Sequence, residues 1–384
     1  MIYFDQAASS WPKPKGVAEA MAEAVLYYGA NPGRGSHQLA AKAQEVVGQT
    51  RTKLARLFGV KNPRDIIFFS HATAAINQAI KGFDWQEGDH VLATLFEHNA
   101  VRRPLAYIRD KYGVKITWIE PDRNGRVDLD SLRQAIRPQT KLIAATHMSN
   151  VTGAILPVRE IGRIAKEKGI PFLVDASQSA GILPIDVEED GIDLLAFPGH
   201  KGLYGPQGTG GLYLTPRLEL TPLFHGGTGS FSETETPPQE RPYRYEAGTL
   251  NTPGLAGLNV GVDFVLTTGV EKIKKKEEEL TSYCLDRLQK IEGIEVYGPD
   301  VGVERGPVIS FNLIGVHPQE VATILDQHYG IATRAGLHCS PLVHQSMNTL
   351  REGTVRVSFG YFNQLSEVDQ LIEALEEIKA GLAV

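Results

Sequence analysis

The sequence predicts an α/β protein: a large domain on a mostly parallel seven-stranded sheet, followed by a smaller α+β domain toward the C-terminus. Three observations predict it. Seven apolar runs of strand length recur between residues 65 and 214, and they are continuous rather than alternating, as suits strands buried on both faces. Helix-like segments separate several of them, the alternation that joins parallel strands through crossover helices. After a stretch rich in Pro, Ser, Thr and Glu at Thr228–Arg244 the rhythm changes to a charged helix and a looser succession of strands and helices.

In chain order, Val17, Met21, Ala24, Val25 and Tyr28 recur at helical spacing. The strand candidates are Asp65–Ser70 (DIIFFS), His90–Phe96 (HVLATLF), Val114–Ile119 (VKITWI), Lys141–Thr146 (KLIAAT), Pro171–Val174 (PFLV), Asp193–Phe197 (DLLAF) and Gly210–Leu214 (GGLYL). A helix is expected at Val158–Lys168, and Thr228–Arg244 reads as an exposed excursion rather than a linker that frees a domain. Beyond it the pattern predicts a helix over Gly269–Gln289, with the KKKEEE run (Lys274–Glu279) on its wet side, paired at i,i+3 and i,i+4. A strand at Pro307–Leu313, a helix at Gln319–Tyr329, a strand at Thr354–Phe359 and a helix from Ser366 complete the chain. The expected partition is 15–247 for the large domain and 1–14 with 248–384 for the small one, and ligands are expected beyond the carboxyl ends of the strands.

Composition narrows the function. The 384 residues are 42% hydrophobic and 22% charged, ordinary for a folded protein. With 39 Lys and Arg against 45 Asp and Glu, the net charge is −6, so the basic excess of a nucleic-acid binder is missing. No run reaches the roughly 18 apolar residues of a membrane span. The opening Met1–Asp5 lacks the basic and apolar regions of a signal peptide, and Cys284 and Cys339 make no disulfide framework. A reducing cytoplasm is therefore expected, where the sequon Asn150-Val151-Thr152 goes unused. There is no P-loop, GxGxxG or HExxH motif, and His338, Cys339 and His344 are too few and too scattered to predict a metal.

Two strand ends carry chemistry. Gly199-His200-Lys201 follows the DLLAF run, and Asp175 ends the PFLV run. A carboxylate at a buried strand end is costly unless it meets a cation. The pair suggests a lysine that forms a Schiff base with pyridoxal phosphate and an aspartate that keeps the pyridine nitrogen protonated. From pattern alone, a structural ion pair is the alternative.

A series of segments gives a more specific reading: YFDQAA (Tyr3–Ala8), NPGRGSH (Asn31–His37), SHATAAIN (Ser70–Asn77), EHNA (Glu97–Ala100), SNVTG (Ser149–Gly153), VDASQ (Val174–Gln178), GHKGLYGP (Gly199–Pro206), EAGTLNTP (Glu246–Pro253), RAGLHC (Arg334–Cys339) and VRVSFGYF (Val355–Phe362). In this order and spacing the chain resembles the cysteine desulfurases of the class V aminotransferase superfamily, fold type I pyridoxal-phosphate enzymes, and especially the branch with a short active-site loop. The resemblance implies pyridoxal 5′-phosphate as cofactor, joined to Lys201, with Asp175 on the pyridine N–H and Gln178 on the ring O3′. It places His98 against the ring as a proton shuttle, and Ala72, Thr73 and His200 at the phosphate, although Thr73 could also be an N-cap. Thr249 would reach the phosphate of a partner subunit, which makes a homodimer part of the site. Asn150 and Arg356, with Arg334, would bind the substrate carboxylate, Arg356 through a bidentate fork.

Cys339 is implied as the nucleophile that receives sulfur. It lies among Gly336, Ser340 and Pro341, with Arg334 and His338 as cations that lower a thiol's pKa, whereas Cys284 in SYCLDRL reads as an inert buried residue. The implied reaction converts L-cysteine to L-alanine and passes sulfur through a Cys339 persulfide to an acceptor protein, for instance in iron–sulfur cluster assembly. A selenocysteine lyase, a cysteine or cystine lyase, an aminotransferase or epimerase, and a non-catalytic scaffold are the alternatives. Four positions depart from the pattern: Pro198 stands where a serine or threonine is usual, Gln6 where the N-terminal motif usually has asparagine, Ala74 where a glutamate commonly follows Thr73, and Leu337 where a histidine often precedes His338.

Overall fold

The computed structural model describes residues 1–33, 35–229, 233 and 235–382; residues 230–232 and 234 of the expected excursion lie outside the described residues. After strand β1 (Ile2–Tyr3), the expected strands form as β2 (Ile66–Phe69), β3 (His90–Thr94), β4 (Lys115–Ile119), β5 (Thr140–Thr146), β6 (Phe172–Asp175), β7 (Leu194–Pro198) and β8 (Gly210–Leu214). They make one seven-stranded sheet in the order β2-β8-β7-β6-β5-β3-β4. Only β8 runs against its neighbours β2 and β7; the other pairings are parallel. Because β8 inverts between them, β2 and β7 are parallel, so the carboxyl ends of β2, β3, β5, β6 and β7 share one edge of the sheet.

The apolar continuity of these strands has a simple cause. Successive residues feed two different cores: Leu92, Ile143, Ala145, Phe172, Val174 and Phe197 point into one, while Val91, Ala93, Leu142, Ala144, Leu173 and Ala196 point into the other. Helices α1 (Val17–Tyr27), α2 (Gln38–Leu57), α3 (Ala72–Lys81), α4 (Asn99–Tyr112), α5 (Leu129–Ala135), α6 (Val158–Lys168) and α7 (Thr252–Thr268) accompany this sheet. The exception in polarity is β4, an edge strand with one face open.

A third core lies under a four-stranded antiparallel sheet of order β12-β13-β10-β9, made of β9 (Ile294–Tyr297), β10 (Val308–Leu313), β12 (Arg334–Gly336) and β13 (Thr354–Ser358). Helices α8 (Val270–Leu288), α9 (Pro318–Tyr329) and α11 (Leu365–Leu382) belong to this part, and α10 (Pro341–Ser346) follows β12. Strand β1 pairs in parallel with β11 (Ile331–Ala332) and carries Ile2 and Phe4 into the same core. Among the described residues no helix is long and apolar enough to cross a membrane.

Two features differ from expectation. Leu255, Leu258 and Val262 of α7 pack into the core of the large sheet, so we propose the boundary between the two units near Gly269, between α7 and α8, rather than at 247. The KKKEEE run is also not wholly solvated. Lys274–Glu278 and Lys276–Glu279 do pair on its outer side, but Glu277 is 2% exposed. It accepts a hydrogen bond from Tyr204 Oη at 3.5 Å, and burial pushes its carboxyl well above the usual range. A buried acid inside a charge run has no sequence signature.

Candidate functional site

At the shared strand edge lies a cavity of about 220 Å3, more than ten times what one water molecule needs. It gathers Ala72 and Thr73 from α3, His98 from the β3–α4 turn, Asp175 at the end of β6 and Gln178 after it, and His200 and Lys201 after β7. Asn150 from the segment after β5, Arg334 from β12 and Arg356 from β13 complete it. Ten of the expected site residues thus meet in one place. Thr249 does not; its own chain holds it in a neighbouring cleft, where its hydroxyl accepts from Asn31 Nδ2 at 3.3 Å. His71 lines both spaces.

One end of the cavity suits an anion. Helix α3 begins at Ala72, and its cap is His71, whose Nδ1 accepts from Ala74 N at 3.0 Å, so Thr73 is the second helical residue and not the N-cap. The first N–H groups of a helix have no partner within it, and the helix dipole favours negative charge there. His200 Nδ1 is buried without a hydrogen bond, and burial pushes this imidazole down to about 4. Histidine 71 was missed in the sequence; its place just before the first helical residue was the available signal.

The opposite chemistry sits on β6. Asp175 is buried, and its Oδ1 accepts from Ser177 N at 2.9 Å and from Ser177 Oγ, while Oδ2 has no hydrogen bond among the described residues. A buried carboxylate with a free oxygen suits a protonated ring nitrogen. Between the two ends, Lys201 is pushed down to about 8, first by burial and then by the Arg356 guanidinium, with Asp175 opposing. His98 caps α4 with Nδ1, which accepts from Ala100 N at 3.0 Å, so the neutral ring carries its proton on Nε2. Burial dominates in keeping that ring neutral. Beside it, fully buried Glu97 braces the strand ends: Oε1 accepts from Thr94 Oγ1 at 2.6 Å and Thr146 N at 2.7 Å. Burial, reinforced by Asp175, pushes this carboxyl up to about 8, so it is a neutral strut at pH 7. These donors and acceptors fit a phosphorylated pyridine aldehyde: amides and imidazole for the phosphate, Asp175 for the ring nitrogen, an amine for the aldehyde.

The depressed lysine gives a prediction with a definite sign. Only the unprotonated amine attacks an aldehyde. The rate at which a phosphorylated pyridine aldehyde condenses with this amine should therefore rise about tenfold per pH unit below pH 8 and level off above it. Stopped-flow absorbance measures this; a rate still climbing at pH 10 would mean that the lysine is unperturbed.

Two arginines line the cavity side by side. Arg334 and Arg356 are direct cross-strand partners on β12 and β13, an unfavourable placement of like charges unless an anion joins them. Arg356, 1% exposed, spends Nη2 on Asp5 Oδ1 at 2.6 Å and Nη1 on the Asn150 carbonyl at 3.0 Å, with Nε unpaired. Its expected bidentate fork is thus turned partly toward Asp5. Arg334 lines the cavity and has no ion pair among the described residues. The Asn150 amide is engaged at both ends, Nδ2 donating to the His338 carbonyl and Oδ1 accepting from Ser340 Oγ, each at 2.7 Å.

Cys339 is exposed, and its carbonyl accepts from Asn99 N at 2.8 Å, which ties its loop to the start of α4 beside His98. His338 differs from expectation. It is 3% exposed, its Nε2 sits 3.1 Å from the Thr354 carbonyl, and burial pushes it to about 2, so it is neutral and supplies no cation to the thiol. Cys284 is buried and pushed up to about 12, an inert thiol as its sequence suggested.

Comparison with known proteins agrees with this geometry. The aminotransferase class-V family matches residues 2–371. A probable cysteine desulfurase of Methanothermobacter thermautotrophicus is 37% identical, over 99% of this chain and 95% of its own. The apo structure of a cysteine desulfurase from Thermococcus onnurineus NA1 superposes with a TM-score of 0.93 at 36% identity, covering 99% of this chain and 95% of that one. The Escherichia coli cysteine desulfurase CsdA, in its S-sulfonic acid form, gives 0.87 at 29% identity over 98% and 94%. The sheet order, the strand-edge site and these full-length similarities have one meaning: the chain belongs to the aminotransferase class-V family and, within it, to the cysteine desulfurases.

Proposed function

We propose that the protein is a cysteine desulfurase that uses pyridoxal 5′-phosphate to convert L-cysteine to L-alanine and retains the sulfur on Cys339 as a persulfide. The observation that carries this reading is the meeting, in one cavity, of a lysine near pH 8, a buried aspartate and a cross-strand arginine pair, with an exposed thiol on the adjoining loop. Lys201 would hold the cofactor, with Asp175 at the ring nitrogen, Gln178 and His98 at the ring, and Ala72, Thr73 and His200 at the phosphate. When bound, the cofactor supplies the electron sink that stabilises negative charge at the substrate Cα.

The chain's own residues do the rest. Arg334 holds the substrate carboxylate, assisted by the unspent N–H groups of Arg356. Lys201 Nζ, neutral in a useful fraction at physiological pH, takes the Cα proton, and His98 Nε2–H is placed to pass a proton on. Cys339 Sγ attacks the substrate sulfur: an S–S bond forms, the Cβ–S bond breaks, and its electron pair stays with carbon until protonation gives alanine. The balance is one L-cysteine and one thiol in, one L-alanine and one persulfide out. The test is stoichiometric. L-cysteine supplied to the cofactor-loaded protein with excess reductant should give equal amounts of alanine and sulfide; pyruvate or D-cysteine as main product would point to a lyase or epimerase instead.

The working form we propose is a homodimer in the cytoplasm, with a sulfur-acceptor protein downstream, iron–sulfur cluster assembly being one such use. Thr249 supports the dimer, because it lies outside its own chain's cavity but in a cleft that shares His71 with it. So do the exposed Val25, Leu26 and Tyr27 at the end of α1, at 64%, 70% and 71% exposure. Sedimentation at micromolar concentration should give twice the 42.0 kDa chain mass. A fully active species at the single-chain mass would refute the dimer.

A further inference from the structure

The two peptide groups that flank the Lys201 Cα are both held by one turn of the N-terminal segment. The His200 carbonyl accepts from Ser10 N at 2.9 Å, from Lys13 Nζ at 3.0 Å and from Ser9 Oγ at 3.2 Å. The Lys201 carbonyl accepts from Tyr204 N at 2.8 Å and from Ser10 Oγ at 2.9 Å. Ser10 Oγ also lies 3.2 Å from the His200 carbonyl, but a hydroxyl has one proton and the shorter contact takes it. Its lone pairs accept from Lys13 Nζ at 2.8 Å, so the lysine, the serine and both carbonyls form one connected set. Ser10 is 6% exposed, so water does not replace these bonds.

Lys13 is out of character. A lysine ordinarily keeps its ammonium in water and lays its stem on apolar surface. Here the half-buried side chain borders a groove with Trp11, Val17 and Met21, and its head turns inward to Ser10 and His200. Burial pushes this amine down to about 8, and no carboxylate offsets it. An ammonium supported only by hydroxyl and carbonyl oxygens costs stability, so what it holds in place is the reason to look for a role.

We propose that Ser10 and Lys13 are positioning residues for Lys201: together they fix the peptide groups on either side of its Cα, so that the amine meets the cofactor aldehyde in one orientation. For its catalytic consequence the inference rests on Lys201 as the cofactor lysine; the bonds themselves do not depend on that reading. Neither side chain borders the 220 Å3 cavity, so both act through Lys201 and not by touching cofactor or substrate.

The experiment compares Lys13→Met, which keeps the stem and removes the donor, Ser10→Ala and the double variant with the wild type. In the cofactor-free protein, amide hydrogen exchange at positions 10 and 204 should quicken at least about tenfold in each single variant. The double variant should exchange no faster than the faster single one, since the two residues act as one unit. Condensation of pyridoxal 5′-phosphate with the amine, followed against pH by stopped flow, should keep its midpoint near 8 while the plateau rate falls at least about tenfold. Unchanged exchange at both amides overturns the proposal. So does a plateau equal to that of the wild type, whether the midpoint stays or rises, because the residues would then be structural or tune acidity rather than position. Should Lys201 not be the cofactor lysine, the wild type itself fails to condense while exchange still reports on these bonds, so the two failures are distinguishable.

Discussion

Lys201→Ala should lower L-cysteine turnover by about 10⁴-fold or more, the upper end of what a positioned base contributes, and leave the fold intact. In the function proposed above the amine has both covalent and proton-transfer work to do, and no other lysine lines the cavity. Its Nζ makes no hydrogen bond or ion pair among the described residues, so truncation strands no partner. The sign of the stability effect follows from the depressed pKa. A lysine whose folded value lies near 8 destabilises the cofactor-free protein at pH 7, and this cost disappears as pH rises past the unfolded value near 10.5. The variant should therefore melt at or above the wild-type temperature at pH 7 without cofactor. Borohydride treatment of the loaded wild type should label the peptide containing Lys201, and the same peptide in the variant should stay unlabelled. An active, labelled variant would place the chemistry elsewhere.

Cys339→Ser should remove persulfide formation and reduce sulfur transfer from L-cysteine by at least about 10²-fold, while cofactor loading and KM change little. A hydroxyl is far less acidic than a thiol and a poor nucleophile toward sulfur. No second thiol can substitute, because Cys284 is buried in α8 and pushed up to about 12. The same variant separates neighbouring chemistries. An enzyme that releases sulfide or selenide directly, as a lyase does, would keep much of its rate, and Leu337 two residues before the thiol, 37% exposed, gives a reason to run both substrates. Alanine and sulfide measured from L-cysteine and L-selenocysteine decide it.

Legibility in the sequence followed physical scale. Strands β2 to β8 were readable because each contributes an unbroken apolar run to two cores at once. Strands β1, β11 and β12 were not, since elements of two or three residues carry no periodicity. Helix α7 was hidden by its glycines, yet these are why it fits: a side chain at Gly261 would meet the Leu203 carbonyl oxygen at 2.4 Å, in the loop that follows Lys201. Lys201, Asp175 and Cys339 were visible as residues out of character with their setting, a cation and an acid at buried strand ends and a thiol in a polar loop. What the sequence withheld was partnership. Nothing in SNVTG or HCSP shows that Asn150 reaches across to Ser340, that His338 is buried and neutral, or that Arg356 is already paired with Asp5.

The most direct measurement is a single turnover without reductant, followed by mass spectrometry of the peptide that contains Cys339. One equivalent of L-cysteine should yield one L-alanine and leave that peptide heavier by one sulfur atom, with the Cys284 peptide unchanged. Alanine formed while the Cys339 peptide keeps its original mass, or no alanine at all, would contradict sulfur transfer through this thiol.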